Sequence, residues 1–155
     1  MSLNRLWQFL SVALPVLASV LAPMSAIDLA YHLRAGGEIL DTGAIPVVDT
    51  WTFTAAGLPW VDQQWGAQAV LAVVERVGGW TGLVVLRAGL TGMIFAGLGW
   101  ILLRRGLDHR LAALLTLAAF VVAAPAMALR PQLFGMACLS IVLVLVVGQI
   151  GRAHV

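Results

Sequence analysis

Apolar residues run along this chain in long blocks, and one long polar interval breaks them. The blocks lie at about 6–26, 81–103, 111–128 and 133–148. Each contains few charges and comes close to the roughly 20 apolar residues that a bilayer-spanning helix needs. The interval from Ala26 to Trp65 is different. It holds five of the seven acidic residues, namely Asp28, Glu38, Asp41, Asp49 and Asp62. It also holds His32, Arg34 and the aromatics Tyr31, Trp51, Phe53 and Trp60. The pattern predicts an all-α fold of polytopic transmembrane helices. A long extracytoplasmic first loop, about 27–80, would carry juxtamembrane amphipathic helices. Chemistry on a membrane scaffold usually sits in such a water-facing loop.

Within the interval, Ser25-Ala-Ile-Asp28 reads as a helix start, with Asp in place of the usual Glu of a capping box. The helix would continue to about Leu40, with Leu29, Leu33 and Leu40 as its apolar stripe and Gly36-Gly37 permitting a close approach. Asp28 and His32 are four apart and share a face; Arg34 and Glu38 share another. Asp41-Thr-Gly43 ends the helix, and Pro46 prevents its return. Thr50–Thr54 alternates with period two and Ala55–Pro59 turns, which predicts a short extended or hairpin-like piece. Trp65–Val77 is apolar but short. It reads as a second juxtamembrane helix followed by a turn at Gly78-Gly79, with a full span as the rival. The first block follows Asn4-Arg5 and reads as an uncleaved signal anchor, with a kink expected at Pro15.

Composition strengthens the membrane reading. The 155 residues are 61% hydrophobic and only 10% charged, where a soluble domain carries roughly a quarter charged. The mean hydropathy is +0.98. The net charge of +2 comes from few groups, and there is no basic stripe, so a nucleic-acid partner is not expected. The single cysteine, Cys138, allows no intrachain disulfide and reads as a small membrane-helix residue. Arg104, Arg105 and Arg110 cluster between two blocks. The positive-inside rule then puts that cluster and the N-terminus in the cytoplasm, with the polar interval and Arg130 outside.

Candidate chemistry collects on the outer side. Asp28, at the exit of the first block, can act as general base or bind a cation; its plain alternative is helix capping. His32 can support it or simply be polar surface. Asp49 can meet a ligand or make an Asx turn. Gln63 and Gln64 suit a hydroxyl-rich ligand and equally suit lipid headgroups. Trp51, Trp60, Trp65 and Trp80 can form a sugar-stacking floor or an interfacial aromatic belt. Arg87 lies inside a block, and a charge at membrane depth is a functional candidate by default. Arg130 can hold an anion such as a lipid phosphate, because a guanidinium matches phosphate bidentately. No phosphate-binding glycine loop, Cys/His cluster or serine-nucleophile motif is present.

Four short segments carry a resemblance. They are Asp28-Leu-Ala-Tyr-His32-Leu33, Gly43-Ala-Ile-Pro-Val-Val-Asp49, Trp60-Val-Asp-Gln-Gln-Trp65 and Arg130-Pro-Gln-Leu133. As a set they resemble the integral-membrane glycosyltransferases of the GT-C superfamily, and more narrowly an uncharacterised bacterial branch. That branch has Asp-x-x-Trp-His-Leu, Gly-x-Ile-Pro-x-x-Asp, Trp-x-x-His-Glu-Trp and Arg-Pro-Gln-Leu. The resemblance covers roughly residues 1–149. It implies a bacterial inner-membrane enzyme that transfers a sugar from a polyprenyl-phosphate donor on the extracytoplasmic face, with membrane lipids as further partners. It implies Asp28 as the catalytic residue. Substrate binding would fall to His32, Arg34, Asp49, Trp60, Gln63, Gln64, Arg130 and Gln132. Three positions depart from the branch: Tyr31 replaces Trp, and Gln63 and Gln64 replace His and Glu. The glutamines remove a possible base and a possible metal ligand. No cofactor is therefore assigned, and a divalent cation stays open. The alternative is a non-enzymatic transporter or envelope assembly component. The final hexapeptide, Ile150-Gly-Arg-Ala-His-Val155, follows the last block without loop logic and reads as a non-native, adapter-derived tail on an N-terminal fragment.

Overall fold

The computed structural model describes residues 2–24 and 27–153. It is helical: α1 spans Leu3–Leu21, α2 Ile27–Thr42, α3 Trp65–Arg104, α4 His109–Ala123 and α5 Pro131–Ala153. One turn of 3-10 helix, Ala124–Ala126, follows α4. Among the described residues there is no strand, only an isolated antiparallel bridge between Val48 and Pro59. Four helices are long and apolar enough to cross a membrane, at Leu3–Leu21, Trp65–Arg104, His109–Ala126 and Pro131–Gln149. That is the pattern of a multi-pass membrane protein. The helix start expected at Ser25 and the end of the foreign-looking tail, His154 and Val155, lie outside the described residues.

The 40 residues of α3 would make a rod of about 60 Å, twice the thickness of a hydrocarbon core. It is not one rod. Gly79 has φ 54° and ψ −151°, a conformation that only glycine adopts without strain. The break falls on the Gly78-Gly79 pair, and it leaves two helices in series.

The chain divides into two compact units. One is Met1–Ser25 with Val84–Val155, and the other is Ala26–Leu83. In the first unit, α1 packs on α4. The buried positions on α1 are Ser11, Pro15 and Ser19, at spacings of four, and α1 continues through Pro15. The buried positions on α4 are Ala112, Ala113 and Thr116. Such small residues let backbones approach where no water drives association. Their hydroxyls bond backward to their own helices: Ser11 to the Gln8 carbonyl at 2.8 Å, Ser19 to Val16 at 2.7 Å and Thr116 to Ala112 at 2.8 Å. None of these three hydroxyls is thereby stranded in the apolar interior. Phe95 of α3 meets Phe120 of α4 edge to face, with ring centroids 5.3 Å apart. Gly97 sits against the Ser140 side chain of α5, where a Cβ would overlap it.

The second unit is α2, the loop after it and the first half of α3. The buried face of α2 is Leu29, His32, Ala35, Gly36 and Ile39. It packs on Gln68, Leu71 and Ala72, all buried on α3. This corrects the expected stripe of Leu29, Leu33 and Leu40, since Leu40 is exposed. The small residues Ala35 and Gly36 decide the face. A Cβ on Gly36 would overlap the Gln68 carbonyl, so the helices are in backbone contact there. Gly43, with φ 68°, ends α2 in the left-handed conformation, its N–H bonding the Ile39 carbonyl at 2.9 Å. Thr50–Thr54 bends rather than extends, so of the two expected forms the hairpin-like one is present, with its turn at Ala56-Gly57 and its closure at the Val48–Pro59 bridge. The pairing lies outside Thr50–Thr54. Asp49 N–H donates to the Leu58 carbonyl at 2.9 Å, and Trp60 N–H donates to Val47 at 2.8 Å. Side-chain bonds to the backbone win over the period-two pattern there.

Candidate functional site

The loop is held by Asp49. Its Oδ1 accepts from the N–H groups of Trp51 and Thr52, both at 2.9 Å, and its Oδ2 accepts from the Thr52 hydroxyl. This is an Asx turn. The Thr52 hydroxyl first, then the two N–H groups, hold the Asp49 carboxyl below its ordinary range. Asp49 is buried, and its oxygens are engaged in shaping the loop.

The turn presents two tryptophans to α2. Tyr31, Trp51 and Trp60 form a mutually edge-to-face trio, with centroid distances of 5.6 Å, 6.1 Å and 6.2 Å. That is the geometry aromatic quadrupoles favour. Glu38 fixes Trp51 by accepting its indole N–H at 2.9 Å. His32 packs its ring against Tyr31 at 5.3 Å and is buried rather than lying on the surface. Trp65 and Trp80 are exposed and take no part in the trio.

Beside the trio opens a cleft of about 220 Å³, lined by Tyr31, Trp60, Val61, Asp62, Gln63, Gln64 and Gln68. Asp62 organises its polar wall. Asp62 Oδ1 accepts the Gln64 backbone N–H at 3.0 Å and the Gln68 side-chain amide at 3.2 Å. Four buried polar atoms of residues lining the cleft make no hydrogen bond of standard geometry: Tyr31 Oη, Asp62 Oδ2, Gln68 Oε1 and Trp60 Nε1. The Tyr31 phenol is the electrostatic neighbour of this wall. Burial pushes its pKa above 10.0, the charges of Asp62 and Asp49 push the same way, and the Gln68 side chain pulls it back. Buried polar atoms without partners cost about 1–3 kcal/mol each. A ligand bearing both donors and acceptors would satisfy them together.

Asp28, Arg34, Arg130 and Gln132 are not among the residues lining the cleft. Asp28 is exposed in the first turn of α2 and does not line the cleft. It stands three residues before Tyr31, which makes it a neighbour of Tyr31 on the helix surface. Arg34 is exposed. In the other unit, Arg130 is half-buried just ahead of α5, with its carbonyl accepting the Leu133 N–H at 2.9 Å. Gln132 is exposed in the first turn of α5. Among the described residues, no three His, Cys, Asp or Glu side chains converge as a metal site requires.

Tyr31 is among the aromatics that the sequence offers for gripping a ligand, whereas Asp62 and Gln68, which also line the cleft, are not assigned to a ligand by sequence. Gln68 carried a signal in retrospect, as a glutamine on the inner side of an otherwise apolar helix. Comparison of the chain with protein-family models, curated proteins and solved structures gave no match.

Proposed function

We propose that this chain belongs to a GT-C-like glycosyltransferase of the bacterial inner membrane, with the N-terminus cytoplasmic and residues 27–80 outside. The donor is a polyprenyl-phosphate-linked sugar, and the cleft at Tyr31, Trp60, Asp62 and Gln68 receives its glycosyl group. The observation that carries this reading is the cleft's composition. An aromatic edge lies beside a carboxylate, three glutamines and a phenol, with both acceptors and donors left unpaired. A sugar has apolar C–H faces and hydroxyls that both donate and accept, so it meets each of these needs.

Asp28, three residues before Tyr31 on α2, takes the proton from the acceptor hydroxyl. The acceptor oxygen then bonds the anomeric carbon from the face opposite the leaving group. The bond from that carbon to the phosphate oxygen breaks, and the electron pair leaves on the polyprenyl phosphate. The configuration inverts. Arg130 and Gln132 are proposed for the lipid phosphate on grounds of guanidinium chemistry and the Arg-Pro-Gln-Leu segment. The test is turnover of a lipid-linked sugar by the protein in bilayers, with Asp28→Asn as the variant. A positioned general base contributes on the order of 10²- to 10⁴-fold, so that loss is expected with the fold retained. Turnover near wild type would make Asp28 a helix cap and favour a docking surface over an active site.

A further inference from the structure

Arg87 of α3 is 3% exposed and stands where α1 ends. Its Nη1 donates to the Pro23 carbonyl at 3.2 Å, and its Nη2 donates to the Ala22 carbonyl. These carbonyls follow the last turn of α1 and have no onward helical partner. Capping them explains two of the three guanidinium nitrogens and leaves two facts unexplained. Nε is buried and makes no hydrogen bond. No carboxylate pairs with Arg87 among the described residues, where the ion pair found is Arg76 with Asp41. The end of a helix carries only about half a negative charge, so a net positive charge remains buried. Such a charge is costly without an anion.

Beside it lies a cavity of about 290 Å³. Ser19, Phe120, Pro125 and Met127 help to line it, and every other lining residue except Arg87 is alanine or proline. No acidic side chain lines it. We propose that this cavity binds a phosphate-class oxyanion through Arg87. The planar guanidinium offers Nε–H with an adjacent terminal N–H, the fork that pairs with two phosphate oxygens. The volume is far above the roughly 30 Å³ share of one water molecule, and it admits a phosphate. The cavity lies at the end of α1, where a lipid headgroup can reach it as well as a free ion. The site belongs wholly to the unit built from α1, the second half of α3, α4 and the turn after α4. It does not rest on the glycosyl-transfer reading.

Two measurements on the purified chain test this. In the first, native mass spectrometry compares retention of phosphatidylglycerol with that of phosphatidylcholine. In the second, the thermal midpoint is read in inorganic phosphate and in chloride at matched ionic strength. Arg87→Gln uncaps α1 and endangers the fold, so the deciding variant is Ala18→Leu, which fills the cavity and leaves Arg87 and its cap in place. The expected result is selective retention of the anionic lipid, or a phosphate-specific rise in midpoint. Ala18→Leu should weaken either by at least about tenfold in affinity, the equivalent of one charge-assisted hydrogen bond. Lipid selectivity without a phosphate response identifies the headgroup as the source, and a phosphate response alone identifies the free ion. The proposal is overturned if wild type shows neither effect, or if the effect survives undiminished in Ala18→Leu. Arg87 is then a helix cap and nothing more.

Discussion

The side-chain amide of Gln68 donates to Asp62 Oδ1 across 3.2 Å, and this one bond ties the loop to the buried side of α3. It orients both residues so that each leaves one oxygen unpaired in the cleft, Asp62 Oδ2 and Gln68 Oε1. The same residue closes the other side of the unit, because the backbone of Gln68 lies directly against Gly36. The cleft wall and the α2–α3 contact therefore share a residue, and a disturbance of either is felt at both.

The first prediction concerns that contact. A Cβ at Gly36 would overlap the Gln68 carbonyl, while one at Gly37 would meet only Arg76 Nη2 at 3.7 Å. Overpacking of a close contact costs about 1–3 kcal/mol, and replacing a helical glycine by alanine gains up to about 1 kcal/mol. Gly36→Ala should therefore lower the thermal midpoint of the unit, and Gly37→Ala should hold or raise it. Equal behaviour of the two variants would refute the close approach.

The contrast between these two glycines shows how far the sequence can be read. The apolar helices are legible because a bilayer admits only helices or closed barrels, so a long apolar block has few alternatives. The stop at Gly43 is legible because a left-handed end favours glycine. The buried face of α2 is not. Leu33 and Leu40 outweigh Ala35 and Gly36 in any hydrophobic count, yet the small residues govern how closely two helices can pack. Thr50–Thr54 has the period of a strand, but its threonines stand next to Asp49, whose side chain captures the backbone first. The cleft unites Tyr31 of α2 with Asp62 of the loop and Gln68 of α3. Spacing along the chain carries no trace of that meeting.

The second prediction concerns Asp49 and pH. Its folded-state pKa lies below the ordinary 3.8, so its ionised form contributes stability that is fully present above that value. The contribution is lost as pH falls through the depressed folded value. Fluorescence from Trp51 and Trp60 should therefore hold constant down to the ordinary carboxylate range and change only below it. Thr52→Val removes the largest cause of the shift and should move this step to higher pH. An acid step unaffected by both Thr52→Val and Asp49→Ala would show that Asp49 does not latch the loop.

The third prediction is topological and follows from the proposed orientation. In a Cys138→Ala background, cysteines at Thr54 and Arg105 should react with an impermeant reagent from opposite sides of the membrane, with Thr54 labelled from outside. Both positions are exposed. Labelling of the two from one side would reverse the assignment of 27–80 to the extracytoplasmic face.

The most direct measurement is sugar-dependent binding at the cleft. The chain in nanodiscs would be titrated with a polyprenyl-phosphate sugar and, separately, with the same polyprenyl phosphate lacking the sugar. Lipid bound would be counted by radiolabel, so that the tryptophans can be changed freely. Tighter binding of the sugar-bearing lipid is expected. That advantage should fall by at least about tenfold, or about 1.4 kcal/mol, in Trp60→Ala, and it should largely survive in Trp60→Phe, which keeps the aromatic face. Equal affinity for the two lipids, or an undiminished sugar advantage in folded Trp60→Ala, would contradict the glycosyl-transfer reading.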